Sequence, residues 1–119
     1  MFGQVKEKES NDEGNLIFHL SNYINNNIQG DLSVDTLCKT FEISRSKLYD
    51  ISHKYYGMSI AKHIRKRRVL IAAEQIKERN CKINEAADLA GFSDYNYFSK
   101  IFKAEMNLTP MEYKKSISK

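Results

Sequence analysis

The chain has 119 residues, 41% hydrophobic and 29% charged, with a formal net charge of +4. That length suits one domain or two very small ones. The mild basic excess permits a polyanionic partner without requiring one. One Pro, five Gly and little β-branched alternation favour an all-α fold. No apolar run reaches the length needed to span a bilayer, and the N-terminus has no signal-peptide pattern. The positive charge is concentrated mid-chain: eight Lys or Arg against Asp50 alone between Ser44 and Arg68.

Residues 1–14 are polar and acidic and hold two of the five glycines, so they read as a flexible tail or linker. Such a start suits a domain excised from a longer protein, or a small free-standing one. Residues 15–57 follow as a first helical subdomain. Asn15 can cap a helix whose stripe is Leu16, Leu20, Ile24 and Ile28, with Gly30 closing it. Ser33 is placed to cap a short helix, Val34–Phe41, with Leu37 and Cys38 inward. After the tight turn at Glu42-Ile43, Ser44 caps Arg45–Tyr56, with Leu48, Ile51 and Tyr55 as its inner face and Gly57 at its end. A short and a longer helix joined by about three residues form a helix-turn-helix corner. One such corner is a weak signal, because many helical proteins contain one.

Residues 58–80 predict a connector helix, free of Gly and Pro and rich in helix formers. It would run roughly 30 Å. Its first half holds Lys62, Arg65, Lys66, Arg67 and Arg68. Its centre, Val69–Ala73, is apolar all round and so reads as enclosed. Arg67 reads equally as an internal tie and as a surface charge. Residues 81–119 then repeat the corner. Ile83–Ala90 is the short helix, Gly91-Phe92 the turn and Ser93 the cap. Asp94–Met106 is the longer helix, with Phe98, Ile101 and Phe102 inward. Glu42-Ile43-Ser44 and Gly91-Phe92-Ser93 align, and the repeat is stronger evidence than either copy. Thr109 and Pro110 open a last short helix.

The run GFSDYNYFSKIFKAEMNLTPMEY resembles the signature of the AraC/XylS-type transcription regulators, through Gly91, Phe92, Ser93, Phe98, Phe102, Lys103, Thr109, Pro110 and Tyr113. The first half matches more loosely through Leu37, Ser44, Leu48, Gly57, Ile64 and Arg67, so the likeness covers nearly the whole chain. The resemblance implies two helix-turn-helix subdomains bridged by one long helix. It implies binding to two successive major-groove segments of promoter DNA, and contact with RNA polymerase in activation. Four positions depart from the pattern: Glu42 for a glycine, Ser52 for an aromatic, Ala86 for a larger aliphatic and Asn107 for a glycine. All four concern core or turns, and they make the first subdomain the looser of the two.

Residues near the start of each second helix reach base edges in this arrangement. In the first subdomain the face opposite the predicted core is Ser46, Asp50 and His53, flanked by Arg45, Tyr49 and Lys54. Arg45 can be bidentate to guanine and Asp50 can accept from cytosine, while Lys47 and Lys54 suit phosphates. In the second, the face is Asn96, Lys100 and Lys103, with Tyr95 and Ser99 at its edge, and Asn96 is a natural adenine reader. The resemblance places base contacts on Arg45, Ser46, Tyr49, Asp50, Tyr95, Asn96, Ser99 and Lys100, in near agreement. Arg65 on the connector is a further candidate for the DNA backbone. The competing interpretation of each residue is an ordinary solvated helix face.

Two other function classes compete with this reading. A protein–protein module could use the basic connector on an acidic partner, but that leaves both polar helix faces unexplained. An enzyme is disfavoured, because His19, His53 and His63 lie on separate segments and no Gly-rich phosphate loop, zinc-like Cys/His spacing or nucleophile elbow is present. No cofactor, metal or membrane is expected. Cys38 reads as a small buried hydrophobe and Cys81 as a loop residue, so no disulfide is expected in a chain that reads as cytoplasmic. The isolated domain is expected to be a monomer, and a full-length protein can dimerise through a further N-terminal domain.

Overall fold

The computed structural model describes the backbone of residues 3–118 and the side chains of residues 12–118. Among these it has seven α-helices and no strand: α1 Gly3–Asn26, α2 Val34–Phe41, α3 Arg45–Tyr56, α4 Ile60–Arg79, α5 Ile83–Leu89, α6 Tyr95–Met106 and α7 Pro110–Ile117. The all-α expectation holds. The chain divides into two units. One contains residues up to Asn27 together with Asp31–His63, and the other contains Ile28–Gly30 together with Ile64 onward.

In the first unit, α1 and α2 both pack on α3. The buried side chains are aliphatic: Leu20 and Ile24 from α1, Leu37 from α2, and Leu48 and Ile51 from α3. The inner face of α3 is completed by Ser52, not by the expected Tyr55, which is 42% exposed. The residues differ by three positions, about 300° around a helix, and Leu48 and Ile51 fix which side is inside. Ser52 satisfies its buried hydroxyl by donating to the Tyr49 carbonyl at 3.2 Å. Tyr56 is half-buried, bonds Ser21 at 2.6 Å and stacks on His63 with ring centroids 3.6 Å apart. Burial raises its phenol pKa, against the Ser21 bond that lowers it.

In the second unit the core is larger and aromatic. Val69, Ala72, Ala73, Ile76, Ala86, Ala87 and Ala90 surround Phe92, Phe98 and Phe102. The rings contact one another, with centroids 5.0 Å apart for Phe92–Phe98 and 5.6 Å for both Phe98–Phe102 and Phe102–Tyr113. Each fully buried Phe contributes about 1.5–3 kcal/mol, and the tilted ring pairs add to this.

Both corners close with the same hydrogen bonds. Glu42 N–H donates to the Lys39 carbonyl and Ile43 N–H to Cys38. Likewise Gly91 N–H donates to Asp88 and Phe92 N–H to Ala87. This helix ending requires a residue with positive φ. Glu42 (φ 54) and Gly91 (φ 92) occupy that place, 49 residues apart. The second turn then holds one more residue than the first. Ser44 caps α3 by accepting from Lys47 N–H, but Ser93 does not cap α6. Asp94 does, accepting from Asn96 and Tyr97 N–H. From the caps onward the units therefore align at an offset of 50, which sets Leu48 against Phe98, Ser52 against Phe102 and Gly57 against Asn107.

Several other expectations are corrected. α1 begins at Gly3, so Asn15 is not its cap, and the backbone from Gly3 to Gly14 is helix rather than tail. Residues 1 and 2, and the side chains of 3–11, lie outside the described residues. The polar run there holds helix formers and no Pro, and Gly14 sits with open space around it. The helix ends at Asn26, and Gly30 is not in the left-handed region. Leu70 is 43% exposed, so the Val69–Ala73 run is not enclosed on every side. Ser33 and Thr109 cap α2 and α7 as expected, with Pro110 opening α7.

Arg68 is a structural tie that the sequence did not single out. It donates to the carbonyls of Ile28 and Gly30, both at 3.1 Å, and burial lowers its pKa. A Cβ on Gly91 would stand 2.1 Å from the Ile28 carbonyl oxygen. Gln29 also donates to the Asp88 carbonyl at 3.1 Å. Ile28–Gly30 is thus fixed into the second unit by backbone contacts that leave no room for a larger residue at Gly91.

Candidate nucleic-acid interface

α3 presents Arg45, Ser46, Tyr49, Asp50, His53 and Lys54 to solvent, with Lys47 half-buried. Ser46, Asp50 and His53 lie one turn apart in succession, opposite Leu48, Ile51 and Ser52. Tyr49 leans on His53, with ring centroids 4.2 Å apart and the ring planes tilted by 39°. The cations of this helix are engaged. Arg45 forms an ion pair with Asp35 of α2. Lys47 and Lys54 both reach Glu13 of α1, at 2.7 and 2.8 Å. The Lys47 hydrogen bond, followed by the one from Lys54, holds the Glu13 carboxyl down to about 2. The same carboxylate raises the pKa of Lys54.

α6 displays a more open face. Asn96, Tyr97, Ser99, Lys100 and Lys103 line one open trough of about 820 Å³, together with Asp94 and Thr109. Phe98 and Phe102 seal the opposite side of the helix. Four of the expected residues therefore converge here: Asn96, Ser99, Lys100 and Lys103. Tyr95 does not join them. It faces a separate cleft of about 630 Å³ with Lys82, Ile83, Met111 and Lys114. Tyr97 was missed by the sequence reading, although its spacing to Lys100 and Ala104 puts all three on one row. Arg65, on α4, is half-buried.

Glu112 completes the frame behind the trough. It accepts from Thr109 N–H at 2.8 Å while its own N–H donates to the Thr109 hydroxyl. This reciprocal cap lowers the Glu112 pKa, chiefly through the Thr109 backbone bond. Among the described residues no helix is long and apolar enough to cross a membrane.

Comparison with known proteins places this geometry. The model of the helix-turn-helix domain family matches residues 37–116. An uncharacterized HTH-type transcriptional regulator of Pseudoalteromonas carrageenovora is 34% identical over 98 residues, which is 81% of this chain and 57% of that protein. The probable transcription factor PqrA of Proteus vulgaris is 31% identical over 85 residues, 71% of this chain and 70% of that protein. The chain thus spans only part of the length of these relatives. Among solved structures, the C-terminal domain of the response regulator AraT of Geobacillus stearothermophilus superposes with a TM-score of 0.79 at 25% identity, covering 85% of this chain and 84% of that one. An AraC-type regulator of Chromobacterium violaceum shares the fold, with a TM-score of 0.74 at 23% identity over 83% of this chain and 88% of that one. The chain belongs to the AraC-type helix-turn-helix family and is a DNA-binding domain of the kind found in transcription regulators.

Proposed function

We propose that this chain is a sequence-specific reader of promoter DNA that inserts α3 and α6 into two successive major-groove segments. The observation that carries the proposal is the trough of α6, where an amide and two ammonium groups project from a helix whose other side is sealed by Phe98 and Phe102. Its counterpart face on α3 bears Ser46, Asp50 and His53 at the matching positions. Asn96 offers an acceptor and a donor in the pairing adenine presents, and Lys100 suits the acceptors of guanine. Ser46, Tyr49, Asp50, Tyr95 and Ser99 supply the remaining base contacts in this reading. Arg45, Lys47, Lys54, Arg65 and Lys103 supply charge to the phosphates.

On this reading the chain acts on transcription in the cytoplasm, as a regulator and not an enzyme, and needs no cofactor. Activation would proceed through contact with RNA polymerase. A relative in Cronobacter sakazakii carries the name transcriptional activator RhaR, which supports the activator sense. The isolated domain would act as a monomer, and a longer protein containing it could dimerise through another domain.

Titration against a duplex selected from a random pool, and against random duplex, tests the reading. Specific binding predicts affinities that separate by about 10³ or more and that fall steeply with salt. Equal affinity for both duplexes at physiological salt would overturn it.

A further inference from the structure

The first recognition helix meets a carboxylate from within its own unit. Glu13 Oε2 accepts from Lys47 Nζ at 2.7 Å, and Glu13 Oε1 accepts from Lys54 Nζ at 2.8 Å. The Tyr55 hydroxyl also donates to Oε1, at 3.4 Å. Lys47 and Lys54 stand two turns apart on one side of α3, so a single carboxylate spans both. On α6, by contrast, Lys100 and Lys103 have no carboxylate within ion-pair distance among the described residues, although the Lys103 charge helps to lower the Glu112 pKa.

We propose that Glu13 attenuates DNA affinity by standing between Lys47 and Lys54 where a backbone phosphate would otherwise be drawn. This inference rests on the reading of α3 as a recognition helix. Lysines that neutralise phosphates gain affinity largely by releasing loosely held counterions from DNA. Here the two lysines hold a fixed counter-charge instead, and the trio presents a net charge of one rather than two. On binding, either the lysines leave Glu13 or its charge remains beside the duplex, and both outcomes weaken the complex. The carboxylate stays ionised down to about pH 2, so the attenuation is constant across the physiological range. A carboxylate that merely held the lysines ready for DNA would have the opposite effect when removed.

Glu13→Gln and Glu13→Ala decide the sign. Each is titrated, at several salt concentrations, against a duplex selected by the wild-type protein and against random duplex. Helical content is checked by circular dichroism. The proposal expects both variants to bind both duplexes more tightly, with a log–log salt slope steeper by roughly 0.9 for the one net charge regained. It also expects Lys54→Gln to cost more affinity in the Glu13→Gln background than in the wild type. Folded variants that bind equally or more weakly would overturn the proposal alone. A wild-type protein that selects no duplex from the pool and does not bind random duplex would overturn the DNA reading and this inference together.

Discussion

The two units share a backbone path and differ in what fills it. α3 and α6 are both 12 residues long, and each ends on a left-handed residue, Gly57 at φ 73 and Asn107 at φ 64. Yet Ser52 occupies the place that Phe102 fills in the second unit, and Leu48 the place of Phe98. The corner glycine of the second unit, Gly91, is replaced by Glu42 in the first, at a φ that non-glycine residues rarely adopt. The difference teaches that the corner's hydrogen bonds set the geometry, because both corners make them, while packing energy is concentrated in the second unit. The charge is distributed the other way. α3 has its lysines paired internally, whereas those of α6 face the trough.

The largest break in this comparison comes from the matched core positions. Phe102→Ala removes a fully buried ring that touches Phe98 and Tyr113, and should cost about 3–5 kcal/mol. Ser52→Ala loses one hydroxyl bond and should cost about 1 kcal/mol. Urea denaturation followed by circular dichroism reads both values. Similar losses would contradict the unequal distribution of packing.

The corners come next. Gly91→Ala should destabilise by about 1–3 kcal/mol from the left-handed backbone alone. The clash 2.1 Å from the Ile28 carbonyl adds to that and strains the segment held by Arg68. Glu42→Gly should instead stabilise, by about 0.5–1 kcal/mol, because relief of the left-handed cost outweighs glycine's extra chain entropy. Thermal melts would show opposite shifts for the two variants. A lower melting temperature for Glu42→Gly would mean that the corner is not strained.

Base reading should separate the units as well. Asn96→Ala should cost about 1–3 kcal/mol at one base pair and relax the preference there. Ser46→Ala, whose hydroxyl is permissive, should cost less. Competition titrations with single-base variants of a selected duplex measure both.

The smallest effect concerns acid. The Glu13 pKa is 4.5 by reference and about 2 when folded, so its pairing stabilises the protein above the reference value and is lost as pH falls from 4.5 towards 2. Asp31 and Glu112 are lowered as well and contribute in the same direction. Glu13→Gln should flatten that part of the stability profile, because it removes the pairing's contribution at and above pH 4.5, neutrality included, and leaves stability near pH 2 unchanged. An unchanged acid profile would mean that the lysine pairing does not persist in solution.

Much of this was legible in the sequence because it is local. Caps at Ser33, Ser44 and Thr109 sit within three residues of the N–H groups they satisfy, and Pro110 directly follows the cap of the helix it opens. The rest depends on partners far along the chain. Glu13 meets Lys47 34 residues away, so a polar, glycine-bearing stretch looked like tail although the backbone is helical there. Arg68 read only as one of five cations in the connector's basic first half until its carbonyl partners at Ile28 and Gly30 were placed. The family resemblance sets Ser52 at a packing position, whereas the inner face read from apolar spacing took Tyr55; the helix phase set by Leu48 and Ile51 carries Ser52 inside. Asp94 displaced Ser93 as a cap because the second turn holds one extra residue, which alignment of the two turns concealed.

The most direct test of the central claim, that each unit reads DNA with its own recognition helix, is selection of bound sequences from a random pool, performed with the wild type and with Asn96→Ala. The account predicts two half-motifs separated by about one helical turn, ~10–10.5 base pairs, with Asn96→Ala blurring one of them and sparing the other. A single short motif from the wild type, or equal loss of both half-motifs in the variant, would contradict it.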